Sequence, residues 1–203
     1  NTENLISLKT WSLGFRNMDA QDELARRLRA LPQVETVGMA MQAPFACGSN
    51  GVHVENEKMS WLNVAGLDST SFRLLGFRVL EKYSEPLEGT YWFTEEAKRR
   101  YGVSEENRTV GKRDDGTPEY ECCGIIADYR SNDALRRPME DSHNAVQNRT
   151  SICSCLIVKV IGDRKEAFDA VSDVWRGVAV DYLGVPKAPE ISYVEDFLNS
   201  ALT

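Results

Sequence analysis

Apolar and polar positions alternate with two different periods along this chain, and the changes of period mark its elements. From Asn4 to Leu13 the alternation has period two, with Leu5, Ser7 and Lys9 set against Ile6 and Leu8, which predicts a strand. Asp19 opens a helix. Asp22 and Glu23 fall early in it and Arg26, Arg27 and Arg29 late, in the order that the helix dipole favours. Leu24, Leu28 and Leu31, at i, i+4 and i+7, form its buried stripe. Pro32 stops the helix, and Val34 to Met41 returns as a strand. The same grammar recurs near the other end. Ile152 to Ile161 is a β-branched strand, and Asp163 with Glu166 three residues on forms a capping-box pattern. Phe168, Val171, Trp175, Val178 and Tyr182 then hold one helical face. Gly184 and Pro186 end that helix, and Glu190 to Val194 returns as a short strand. Two strand-helix-strand units predict a split βαβ sheet with both helices on one face.

The middle of the chain reads differently. Short strands are expected at Phe77–Leu80, Tyr91–Phe93 and Glu119–Arg130, and short helices at Ser69–Leu75 and Glu95–Tyr101. Polar loops are expected at Gly111–Pro118 and Asp133–Asn148. The pattern therefore predicts an α+β fold: a split βαβ lobe over 1–67 plus 150–203, interrupted by a mixed α/β lobe over 68–149. The polar, aperiodic segment around Met139 to Arg149 is the expected mobile loop. On the same ground Arg136, Arg137, Met139, Glu140, His143 and Asn148 are the candidate partner-binding residues.

Composition narrows the classes. The 203 residues are 42% hydrophobic and 27% charged, a folded composition, with a net charge of -7 that disfavours nucleic acid. The basic run Arg26-Arg27-Leu28-Arg29 is balanced on its own helix by Asp19, Asp22 and Glu23 and reads as a solvated face. No apolar run reaches the roughly 18 residues of a membrane-spanning helix. The chain begins at Asn1 with no secretory signal, as a segment excised from a longer protein would.

Candidate chemistry is sparse. The sequence has no phosphate-binding glycine loop, no Gly-x-Ser-x-Gly elbow and no His-Glu-x-x-His helix. The two histidines, His53 and His143, have no partner placed by motif. His53 alternates with Val52 and Val54 and is expected to face solvent. Five cysteines leave an odd thiol: Cys47, Cys122, Cys123, Cys153 and Cys155. Within strands, Cys153 and Cys155 share a face while Cys122 and Cys123 point apart. Buried free thiols are the first reading, with a disulfide between the two pairs and a metal site as the alternatives. Trp11, Trp61, Trp92 and Trp175 are expected in cores. No catalytic residue, cofactor or metal site is assigned, and a non-enzymatic domain is expected.

Several short motifs, taken in order, resemble a known family. They are Leu28-Arg29-Ala30-Leu31-Pro32-Gln33-Val34-Glu35-Thr36-Val37, then Val64-Ala65-Gly66-Leu67-Asp68 with Phe72 to Glu81. Phe93-Thr94-Glu95-Glu96-Ala97-Lys98-Arg99, Val110-Gly111-Lys112, Gly124 to Arg130 and Tyr193 to Leu198 follow. Together they resemble the MacB-like periplasmic core domain of MacB/FtsX-type ABC transporter permeases. The resemblance implies a porter-like βαβ lobe interrupted by a second mixed lobe. It also implies a place between the first two of four transmembrane helices, in the periplasm of a bacterial inner membrane. The implied partners are a cytoplasmic ABC ATPase, a second permease subunit and a periplasmic or outer-membrane protein. The implied role is to pass ATP-driven movement outward for efflux, export or mechanotransmission, with no cofactor and no nucleic acid. A ligand-binding sensor domain of a membrane receptor is the alternative from another class.

Overall fold

The computed structural model describes residues 2–13, 18–52, 60–113, 117–129, 141–149 and 154–196. It is an α+β structure that divides into two compact units. The first comprises Asn1–Pro44, Asp68–Gly76 and Ser151–Thr203, the second Phe45–Leu67 and Phe77–Thr150.

The first unit is built on four strands: β1 (Leu5–Lys9), β2 (Val34–Ala40), β10 (Cys155–Val160) and β11 (Glu190–Tyr193). They lie in the order β11-β1-β10-β2, and each neighbouring pair is antiparallel. β1 and β2 therefore run parallel with β10 between them, and β10 and β11 run parallel with β1 between them. These are two interleaved split βαβ units. Their crossovers are α1 (Met18–Arg29) and α4 (Arg164–Leu183). Asp163 caps α4 by accepting from the Lys165 and Glu166 amides, both at 2.9 Å. Gly184 closes it in the left-handed conformation, φ 70°, which costs glycine nothing. Leu24 and Leu28 of α1 meet Val171, Trp175 and Val178 of α4 over Ile6, Leu8, Leu156 and Val158 of the sheet in one apolar core. A short 3-10 helix, Trp11–Leu13, follows β1, where the sequence pattern extends the strand to Leu13. Trp11 is 62% exposed rather than in a core. The turn rotates it out of the strand's alternation.

On the sheet's other face lies α2 (Ser69–Leu74), capped by Asp68, whose carboxylate accepts from the Ser71 amide at 2.7 Å. Ser71 donates its hydroxyl to the Met39 carbonyl at 2.9 Å. Gly38 of β2 permits this approach, because a Cβ there would collide with Ser71.

The second unit contains β3 (Gly48–Val52), β4 (Ser60–Leu67), β5 (Val79–Lys82), β6 (Tyr91–Thr94), β7 (Thr109–Lys112), β8 (Pro118–Ile126) and β9 (Ser142–Asn148). Its sheet is mixed. β3 pairs antiparallel with β4, β4 parallel with β9, and β9 antiparallel with β6. β6 then pairs parallel with β8, which pairs antiparallel with β5 and β7. The helix α3 (Glu95–Tyr101) follows β6, with Thr94 as its cap and Gly102, φ 62°, as its stop. Val52, Leu62, Phe93, Ala97, Tyr120, Ile125 and Ala145 share its core.

Two pieces of chain lie across the division that the sequence pattern suggests, 1–67 plus 150–203 against 68–149. Phe45–Leu67 belongs to the second unit, because β4 finds β3 and β9 there. Asp68–Gly76 belongs to the first, because α2 sits on β2. The expected loop Asp133–Asn148 is corrected too: Ser142–Asn148 is a strand with a partner on each side. Its polar side chains bond within the protein, so their polarity does not mean solvent.

Candidate functional site

Of the six candidate partner-binding residues, Arg136, Arg137, Met139 and Glu140 lie outside the described residues, as do His53 and Cys153. His143 and Asn148 are described, and they stand at opposite ends of β9.

At the start of β9, Asp141 is the node of a polar cluster. It adopts φ 54°, a left-handed conformation that aspartate tolerates better than most residues. Arg100, from the last turn of α3, donates to both of its carboxylate oxygens at 2.7 Å. His143 Nε2 lies 2.9 Å from the same carboxylate. The Trp61 amide and the Ser60 hydroxyl both donate to the Asp141 carbonyl, at 2.9 and 3.0 Å. Ser60 also meets the Tyr101 hydroxyl at 2.9 Å, and the Tyr101 ring stands edge-on to the His143 ring with centroids 5.8 Å apart. The hydrogen bonds from Arg100 hold the Asp141 carboxyl well below the usual carboxylate range. His143 Nδ1 is buried without a hydrogen-bond partner among the described residues.

This arrangement is a clamp. The Ser60 hydroxyl meets a carbonyl and a phenol, not the imidazole, so serine, histidine and aspartate do not form a nucleophile-base relay. Its mechanical effect is to fix the ends of β4, β9 and α3 to one another.

At the far end of β9, Asn148 is committed inside the unit. It accepts from Trp92 Nε1 at 3.0 Å and donates to the Thr90 hydroxyl at 2.9 Å. Its amide donates to the Thr90 carbonyl at 2.8 Å. Trp92 in turn packs over Gly124, where a Cβ would strike the indole and the Glu81 carbonyl. Asn148 is thus a structural tie, with its side chain occupied.

Among the described residues, Cys47, Cys122, Cys123 and Cys155 form no disulfide. Burial pushes Cys122 and Cys155 up to about 11, so both stay protonated at neutral pH. Cys122 and Cys123 point apart on β8: Cys122 enters the core, while Cys123 bonds to the Tyr91 carbonyl at 3.3 Å. Among the described residues no group of three or more His, Cys, Asp or Glu side chains is placed to hold a metal ion. Nor is any described helix long and apolar enough to cross a membrane.

The sequence reading missed Arg100, Asp141, Ser60 and Tyr101. They are dispersed over 81 residues of chain, from Ser60 to Asp141, and no local motif joins them.

No protein-family model matches this chain, and no curated protein matches it by sequence. Solved structures do. The periplasmic region of MacB from Actinobacillus actinomycetemcomitans superposes with a TM-score of 0.60 at 13% identity, over 100% of this chain and 94% of that one. This chain has the MacB periplasmic fold. The extracellular domain of the noncanonical ABC-type transporter YknZ from Gram-positive bacteria gives 0.58 at 13% identity, over 93% of this chain and 100% of that one. A domain assigned to a permease protein from Porphyromonas gingivalis gives 0.56 at 11% identity, over 95% and 91%. Identities this low establish the MacB-type fold and leave function to be argued separately.

Proposed function

We propose that this chain is the extracytoplasmic domain of an ABC transporter permease. The observation that carries the reading is that the MacB-type fold is matched over almost the whole chain by domains of two transporters that lie outside the cytoplasm. A second feature agrees with it. Ile6 pairs with Tyr193, so the chain enters and leaves the first unit side by side at one end of the sheet. That suits a domain inserted between two neighbouring membrane helices.

In this reading the domain is non-enzymatic and sits on the periplasmic side of a bacterial inner membrane. A cytoplasmic ATPase works through the permease helices, the permease functions as a dimer, and the domain passes the movement to export or mechanotransmission with a periplasmic or outer-membrane partner. Split βαβ units suit that work, because helices packed across a continuous antiparallel sheet move as a body.

Topology mapping of the full-length gene product tests the reading. One membrane span before this segment and three after it, with this segment outside, is the expected outcome. A segment facing the cytoplasm, or a single span on each side joined to a signalling module, overturns it. The isolated chain is expected to hydrolyse no ATP, and robust turnover that survives repurification would remove the non-enzymatic part.

A further inference from the structure

One face of the first unit's sheet carries α1 and α4. On the other face α2 lies over β2, and beside β1 and β11 a cavity of about 220 Å³ opens instead. It has room for about seven waters. Among the described residues its lining is Ser7 and Lys9 of β1, Glu190, Ile191 and Ser192 of β11, and Ala43 of the segment after β2.

The strand register explains why these residues meet. Ser7 lies opposite Ser192 and Lys9 opposite Glu190, so the four side chains form a two-by-two polar array on one face. Their neighbours Ile6, Leu8, Ile191 and Tyr193 turn their side chains into the apolar core instead. The Ser7 hydroxyl is at the floor, with the residue 5% exposed, and its near neighbour is the Cys155 sulfur at 3.3 Å, a weak partner. At the rim, Lys9 Nζ and Glu190 stand 3.3 Å apart, with about half of each side chain in solvent. An exposed pair of this kind contributes little stability, so its two long side chains separate at small cost.

We infer that this cavity is a binding site for a small zwitterion, an α-amino acid or the equivalent short peptide. Lys9 would take the carboxylate and Glu190 the ammonium, replacing one exposed ion pair by two charge-assisted contacts. The Ser7 and Ser192 hydroxyls donate and accept, so they serve either end. The Ala43 wall and the small volume limit the side chain that fits. A site for a lone anion or cation would show one sign of charge at its rim, and this one shows both. The inference stands on the first unit alone and does not depend on the transporter reading.

The test is a titration of the isotope-labelled 203-residue chain followed by amide NMR. The probes are glycine and glycylglycine, with acetate and methylammonium as single-charge controls. Saturable shifts are expected at Ser7, Lys9 and Glu190 to Ser192 with a zwitterion, and no saturable shift with either control. Saturation by glycine identifies a free amino acid, and saturation by glycylglycine alone identifies a peptide. Lys9→Met and Glu190→Gln, both at exposed rim positions, should each weaken binding about ten-fold while leaving the remaining spectrum unchanged. The absence of saturation by either zwitterion at about 10 mM, well above a millimolar dissociation constant, overturns the inference. So does equal binding by both variants, or equal saturation by acetate alone.

Discussion

The two units of this chain solve the same problem with different materials. In the first, the sheet is wholly antiparallel and two amphipathic helices close one apolar core over it. Of its buried polar side chains, Thr10 and Gln21 find no hydrogen-bond partner among the described residues. In the second, two of the strand pairings are parallel, and polar side chains are spent inside the sheet. Asn63 bonds to Ser142 at 2.6 Å and to Ser49 at 2.6 Å, Asn148 ties Trp92 to Thr90, and Asp141 holds Arg100 and His143. Parallel strands must be joined by crossovers, so their partners come from distant parts of the chain. Directional side-chain bonds then fix a register that an apolar stripe alone would leave loose. The first unit is therefore held mainly by burial and the second by burial plus specific pairs.

The sharpest way to break that contrast is to remove the centre of the first core. Trp175 is wholly buried. Trp175→Ala should cost about 3–5 kcal/mol, read as a lowered midpoint in urea unfolding of the first unit. A loss below about 1 kcal/mol would mean the core is not the main support. The matching change in the second unit is Asn148→Ala. It removes the bonds from Trp92 Nε1 and to the Thr90 hydroxyl and should cost about 1–3 kcal/mol in the same measurement. If it is neutral, the polar ties of that unit carry no stability.

Acid should separate the units next. Arg100 holds the Asp141 carboxyl low, so in the folded state the proton is refused until unusually acid pH. Stability from this clamp is full above the ordinary aspartate value of about 4 and is lost as pH falls from there toward the depressed folded value. Circular dichroism during acid titration should show this loss, and Arg100→Met should flatten it. An identical acid profile in the variant would remove the clamp from the account. The smallest effect concerns the thiols. In the native chain at pH 8, buried Cys122 and Cys155 should be alkylated more slowly than partly buried Cys47, as read by peptide mapping. Equal labelling would show that the strands open readily.

The difference between the units also governs what was legible. The βαβ grammar of the first unit, its helix stripe at Leu24 and Leu28 and its cap at Asp163 were readable because they depend on residues three or four positions apart. The strand β9 was not. Its sequence, Ser-His-Asn-Ala-Val-Gln-Asn, reads as a polar loop, since the strands it pairs with, β4 and β6, are distant in the chain. The same blindness hid Arg100 and Asp141 and placed Phe45–Leu67 with the wrong neighbours.

By itself, then, the sequence determined the class of fold, the two split βαβ units, the places of their helices and the likeness to the MacB periplasmic fold. These rest on local period, capping and short ordered motifs. Only the tertiary structure decided which strands pair in the second unit, that Asn148 is an internal tie and that Trp11 stands in solvent. It alone brought Ser7, Lys9, Glu190 and Ser192 around one cavity. Strand pairing across long separations depends on register, and register is a property of two segments together that neither one encodes alone.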